Sequence, residues 1–305
     1  MYCLEKLLQE NVPFVCLLLG FITMRTIITL SMIALLFFSY PCFGQNKTKI
    51  KKDGDRTCIT SNGLPNHDTG DFPNAGNPNT ISEQEHAFCF PTQPTLTDRA
   101  QTKHGIIGIA INGIPMEPGT AEWYNRDRDS GWNYSAIGGS INLGIDKNNA
   151  HVQPSGMYHY HGVPYGLIAT LKSPDAIIGY AADGFPIYAN FKNFQTSYRL
   201  KKGSRPTPPY GSYDGTFVQD WEYVESEGEL DACNGIMMGG KYRYVITRDF
   251  PQMPRCLKGA IIDSSFERAP DAQVGPHHPH NPKRRPPHPQ KSHRPGQDPG
   301  PPRSQ

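Results

Sequence analysis

Apolar positions along this chain form one near-continuous block at the N-terminus, a middle of short runs, and a C-terminal stretch with almost none. The block covers residues 12–38 and is densest over 26–38, just after Met24-Arg25. It gives way to Ser39-Tyr40-Pro41-Cys42-Phe43-Gly44-Gln45. A basic start, a short apolar run and small residues before the cut predict a signal peptide over residues 1–44. Met24 is the better initiator, and cleavage falls after Gly44. The competing assignment is a retained N-terminal membrane anchor, for which residues 26–38 alone are short. Ser39-Tyr40-Pro41 lacks the Leu and small residues that lipid attachment at Cys42 would call for.

The middle reads as strands and turns. Residues 45–57 are Lys-rich and polar, as in a linker, and 58–100 are dense in Asn, Gly, Pro and Asp, as in turns and short edge strands. Ile106, Ile107, Ile109 and Ile111 lead into an Asn112-Gly113 turn. Residues 156–161, 177–181 and 242–247 give further strands, and 120–125 about one helical turn. The expected fold is mainly β, a sandwich- or barrel-like domain over 58–268 with few short helices. Residues 269–305 are Pro, His, Arg, Lys and Gly with almost nothing apolar, the composition of a disordered tail.

An internal repeat sits inside this domain. Ile107-Gly108-Ile109-Ala110-Ile111-Asn112-Gly113-Ile114-Pro115-Met116 matches Ile178-Gly179-Tyr180-Ala181-Ala182-Asp183-Gly184-Phe185-Pro186-Ile187. Each copy is followed by a Gly and a Tyr-x-Tyr: Gly156 with Tyr158 and Tyr160, Gly240 with Tyr242 and Tyr244. Asn-Gly and Asp-Gly tolerate the positive φ of tight turns, so two hairpins could converge on them. The shared Ile-Gly-x-Ala favours a duplicated β unit.

Composition narrows the function. The net charge is +2 and much of the basic excess lies in the tail, so there is no case for a nucleic-acid-binding domain. The basic tail could make weak contact with anionic surfaces; no other partner is indicated. Cleavage would leave Cys58, Cys89, Cys233 and Cys256, an even count that predicts two disulfides in an exported, periplasmic or extracellular chain. Neighbours in sequence are the simplest pairing among three connectivities. Thiolate metal ligation is disfavoured by the absence of CxxC spacing.

The tetrapeptide Tyr158-His159-Tyr160-His161 with Gly162 and its surroundings resemble the YHYH-domain family of exported proteins. The resemblance runs from Ser61-Asn62-Gly63-Leu64-Pro65 through Gly108–Ala110 with the Ile111-Asn112-Gly113 turn and His151-Val152-Gln153-Pro154. It continues through Ala182-Asp183-Gly184-Phe185-Pro186-Ile187-Tyr188, Leu230-Asp231, Cys233-Asn234-Gly235 and Phe250-Pro251, ending at Cys256. It implies an exported domain and little about activity. Ala232 stands where similar proteins tend to carry Glu. The second Tyr-x-Tyr reads Tyr242-Arg243-Tyr244-Val245 where some relatives repeat the histidines, which implies that any second metal site is lost here.

The His-x-His is the sharpest chemical signal. On a strand, His159 and His161 point to one face and Tyr158 and Tyr160 to the other. Paired imidazoles are a frequent half-site for a divalent transition metal, Cu or Zn. His151 is the nearest third ligand; His67 and the turn carboxylate Asp183 are weaker ones. The bland reading makes His and Tyr a hydrogen-bonded cluster that only orders the core. A blue-copper site would need Cys233 free beside Met237 or Met238. No Gly-x-Ser-x-Gly elbow, phosphate loop or dinucleotide fingerprint occurs. His277, His278, His280, His288 and His293 could scavenge metal in the tail. Two functions follow: a metal site on a β scaffold, enzymatic or metal-handling, or a non-catalytic exported binding module. The sequence makes no decision on whether the protein is an enzyme.

Overall fold

The structure is a computed structural model that describes residues 45–173, 176–190 and 192–267. The expected signal segment and tail lie outside the described residues. The main feature is an eight-stranded sheet curled into a half-barrel. It comprises β5 (Gly108–Ala110), β6 (Pro115–Met116), β7 (Ala150–Val152), β8 (Tyr158–Tyr160), β9 (Ile177–Ala181), β10 (Pro186–Ala189), β13 (Gly235–Met238) and β14 (Lys241–Ile246). Three small sheets surround it. One joins β1 (Thr48–Asp53), β2 (Arg56–Ser61) and β3 (His86–Pro91). The others pair β4 (Leu96–Thr102) with β15 (Cys256–Gly259), and β11 (Tyr198–Leu200) with β12 (Trp221–Tyr223). The α-helix among the described residues is α1 (Tyr165–Ala169).

The strand order in the large sheet is β13-β14-β10-β9-β5-β6-β8-β7. Read outward from its centre it is the same unit twice. β5 and β9 lie antiparallel, each pairs antiparallel with its own hairpin partner, β6 or β10, and that strand pairs parallel with β8 or β14. β7 and β13 then close the two ends. The sequence repeat is therefore a structural one with a local two-fold. At its centre Gly108 faces Ala181, Ala110 faces Gly179 and Ile109 faces Tyr180. The repeated glycines explain this close seam. A Cβ on Gly108 would lie 2.6 Å from the Tyr180 carbonyl oxygen, and one on Gly179 would lie 2.7 Å from that of Ile109.

Ile107, Ile109, Met116, Ile178 and Ile187 are fully buried, with Tyr158, Tyr160 and Tyr244, in one core that also takes Ile59, Phe88 and Phe90 from the small sheet. Cys58 faces Cys89 across β2 and β3 and is bonded to it; Cys233 is bonded to Cys256. The pairing is that of sequence neighbours, and Cys233 is thus no copper ligand. The loops closed span 31 and 23 residues. Loop-entropy loss in the unfolded chain puts each bridge at about 3–4 kcal/mol.

Two sequence expectations are corrected. Residues 45–57 are not a linker: β1 lies in them, fully paired with β2. A backbone ladder needs no apolar side chains, and an edge strand carries its lysines, Lys49, Lys51 and Lys52, in solvent. Asn46 Nδ2 and Thr48 Oγ1 both donate to the Asn112 carbonyl at 2.8 Å and tie this strand to the first repeat's turn. The helical turn expected at 120–125 lies later, as short 3₁₀ turns at Tyr124–Arg126 and Arg128–Ser130.

Candidate metal centre

β7 and β8 form a hairpin whose turn is closed by Gly156 N–H donating to the Gln153 carbonyl at 2.8 Å. Its register sets His151 directly opposite His159. His161, one residue past the end of β8, follows on the same face. The three rings pack with centroids 4.6–4.7 Å apart. One nitrogen from each lies within 4.8 Å of the others. A tetrahedral ion at roughly 2.0–2.1 Å from each nitrogen wants them about 3.3 Å apart, so closure on an ion is a matter of small ring movements.

The surroundings select the nitrogens. His151 Nδ1 lies 2.9 Å from the Leu143 carbonyl, which fixes a proton there and leaves Nε2 as an acceptor. His159 Nδ1 lies 3.3 Å from the Met157 carbonyl with the same result. His161 is 2% exposed, and neither ring nitrogen makes a hydrogen bond of ordinary geometry, although the Glu117 backbone lies close enough to act on the ring. Burial holds its pKa well below the ordinary value, and the neighbouring His159 and His151 push it the same way, against a raising effect of the Glu117 backbone. Burial also lowers His151, offset in part by the Leu143 carbonyl, Asp146 and Glu122. Neutral imidazole is the form that ligates metal, and these environments supply it.

Glu117 was not visible from sequence reasoning. It follows β6, and its N–H donates to the Tyr160 carbonyl at 2.8 Å. Its buried carboxylate stands 3.9 Å from His159 Nε2 and accepts from Gln153 Nε2 at 3.0 Å. A carboxylate in its ionised form at this place would favour a cation at the trio. The signal that could have found it is the repeat itself: Glu117 occupies the slot of Tyr188, and His159 that of Arg243. In the second half the Arg243 guanidinium lies over the Tyr188 ring at 4.3 Å, and Val245 and Ile236 replace His161 and His151. The two halves differ at all four positions together.

The tyrosines face the other way and are held by a mirrored set of groups. Tyr158 OH donates to Asp146 at 2.7 Å and Tyr242 OH to Asp231 at 2.8 Å. Tyr160 OH meets Asn112 Nδ2 at 2.9 Å; Tyr244 OH donates to Asp183 at 2.6 Å. This places the two weaker ligand candidates away from the trio. His67 Nε2 lies 2.6 Å from Tyr160 OH, because the turn-rich segment carrying it covers the tyrosine face. Asp183 is fully buried at the second repeat's turn, where it also accepts from the Gly259 and Phe185 N–H groups. Burial raises its pKa, against these lowering bonds. Neither residue lies with the three histidines.

The disulfides fit an oxidising, exported compartment. Among the described residues no helix is long and apolar enough to cross a membrane. No curated protein and no solved structure matches the chain. The YHYH protein family is matched over residues 87–259, more than half of the 305 residues and both copies of the repeat. The chain belongs to the YHYH protein family.

Proposed function

We propose that the domain binds a divalent transition metal, copper or zinc, through His151, His159 and His161. The observation that carries this reading is the convergence of three imidazoles, one nitrogen of each within 4.8 Å of the others, with His161 fully buried among them. A core that used these rings only for order would satisfy those nitrogens, since an unpaired buried polar group costs about 1–3 kcal/mol. A metal bond to one nitrogen of each ring would satisfy that nitrogen. Three imidazoles leave a coordination position open to water or a small ligand, as in catalytic rather than structural sites. The His151 side, only half-buried, is the open side. The Glu117 carboxylate, 3.9 Å from His159 Nε2, would stand beside an ion held by the three rings.

The test compares metal content and thermal stabilisation by Cu²⁺ and Zn²⁺ in the protein and in His159→Ala/His161→Ala. Both are made without residues 269–305, so that the five histidines there contribute no binding of their own. An ion at a hundred times its Kd stabilises the folded state by about 2.7 kcal/mol, and the double variant should gain none. Absence of metal and of stabilisation in the parent would leave the cluster a structural one and the domain a binding module.

A further inference from the structure

The local two-fold relates the surroundings of the two hairpins as well, and at one place they differ. Around β7 and β8, residues 70–79 lie across the sheet's end. Gly70 N–H donates to Asp146 Oδ2 at 3.0 Å, and Phe72 sets its ring edge-on to Tyr158 at 6.1 Å. Asn77 and Asn79 donate their side-chain amides to the Val152 carbonyl at 2.9 and 2.8 Å. The register makes Asp231, Tyr242 and Met237 the counterparts of Asp146, Tyr158 and Val152. These three line a cavity of about 320 Å³.

The groups that residues 70–79 satisfy in the first half are open in the second. Asp146 Oδ2 takes both Tyr158 OH and Gly70 N–H; Asp231 Oδ2 takes Tyr242 OH, and among the described residues no backbone N–H stands in for Gly70. Met237 is 52% exposed, whereas Val152 is 1% exposed. β13 is a terminal strand of the sheet, so its outer edge is available to an extended chain. The wall adds charge: Glu225, Glu229 and Asp231 line the cavity, and among the described residues no Lys or Arg does.

We infer that this cavity receives an extended, cationic segment of a partner polypeptide, seated as residues 70–79 seat on the first half. It would give a backbone N–H to Asp231, a ring to Tyr242, an amide to the edge of β13 and positive charge to Glu225 and Glu229. This is recognition at a sheet edge, with backbone bonds for affinity and side-chain pockets for selection.

The probe is a fluorescent peptide with the sequence of residues 68–79 carrying Asp68→Lys and Asp71→Lys, titrated by anisotropy against the full mature chain. Saturable binding is expected, lost with rising salt and about tenfold weaker in Met237→Arg and in Glu225→Lys. Both positions are exposed, and unchanged melting would show that each variant folds. No saturable binding, or binding indifferent to both substitutions, overturns the inference. Displacement of the probe by a peptide of residues 269–305 would assign the cavity to the chain's own tail and overturn it too. So would a dimer in sedimentation that Met237→Arg dissociates, which would assign the cavity to a second copy.

Discussion

His86, at the start of β3, sets a sharp expectation for acid stability. Its ring packs against Phe88 with centroids 5.4 Å apart and abuts Gly63, and its buried Nε2 has no hydrogen-bond partner. Burial lowers its pKa to about 4. The folded protein therefore holds this ring neutral where the unfolded chain, with an ordinary value of about 6.5, already takes up a proton. The unfolded state binds more protons between those two values, so stability rises with pH there. The contribution is complete above about pH 6.5 and is lost as pH falls toward 4. Integrating between pH 7 and 4.5 gives roughly 2.5 kcal/mol of destabilisation from this one residue. The assay is urea unfolding of the protein and of His86→Phe at both pH values, with a chelator present so that metal linkage adds nothing. His151 and His161 shift in the same direction, but they are common to both proteins and cancel in the difference. A constant offset from repacking the new ring cancels as well. The variant should lose roughly 2–3 kcal/mol less than the parent on acidification. Equal losses would show that His86 is protonated within the folded protein and that its desolvation is not what limits it.

Three further outcomes follow from the structure. Cys233→Ser/Cys256→Ser should cost about 3 kcal/mol in denaturant unfolding, and unreduced peptide mapping of the parent should find no free thiol at either position. Tyr244→Phe removes a hydroxyl that donates to buried Asp183 at 2.6 Å and accepts from Lys258 N–H at 2.7 Å. The loss should reach about 2–4 kcal/mol, and a change under 1 kcal/mol would mean water replaces both bonds. Mature protein should begin at Gln45, as N-terminal sequencing of the exported form will show; recovery of residues 1–44 in membranes would contradict it.

The repeat was legible because its residues are dictated by backbone geometry. Asn112-Gly113 and Asp183-Gly184 build the same turn, and Gly108 and Gly179 permit the same close seam, so the chemistry that makes the fold is written in the residues themselves. His151 could be anticipated because the Gln153–Gly156 turn returns the chain directly onto β8. Partners from distant segments were not legible. Glu117 reaches His159 only because β6 lies parallel to β8, and parallel neighbours leave no local pattern. His67 and Asp183 went to tyrosines because the sequence does not say which face of a sheet a turn-rich segment will cover. The polar run at 45–57 hid a strand because edge strands need no alternation when neither face is buried.

The contact of β5 with β9 has a further consequence. Residue i of one half meets residue j of the other while j meets i, the rule of an isologous interface between identical subunits. Here both subunits are written into one polypeptide. A true homodimer must repeat every substitution in both protomers, so it cannot keep a histidine on one side and an arginine on the other. The covalent form removes that constraint. Each half can drift in the chemistry of one sheet face while the shared seam, with its glycines, stays fixed by packing. Three imidazoles at one end and an Arg243–Tyr188 stack at the other are what such release permits.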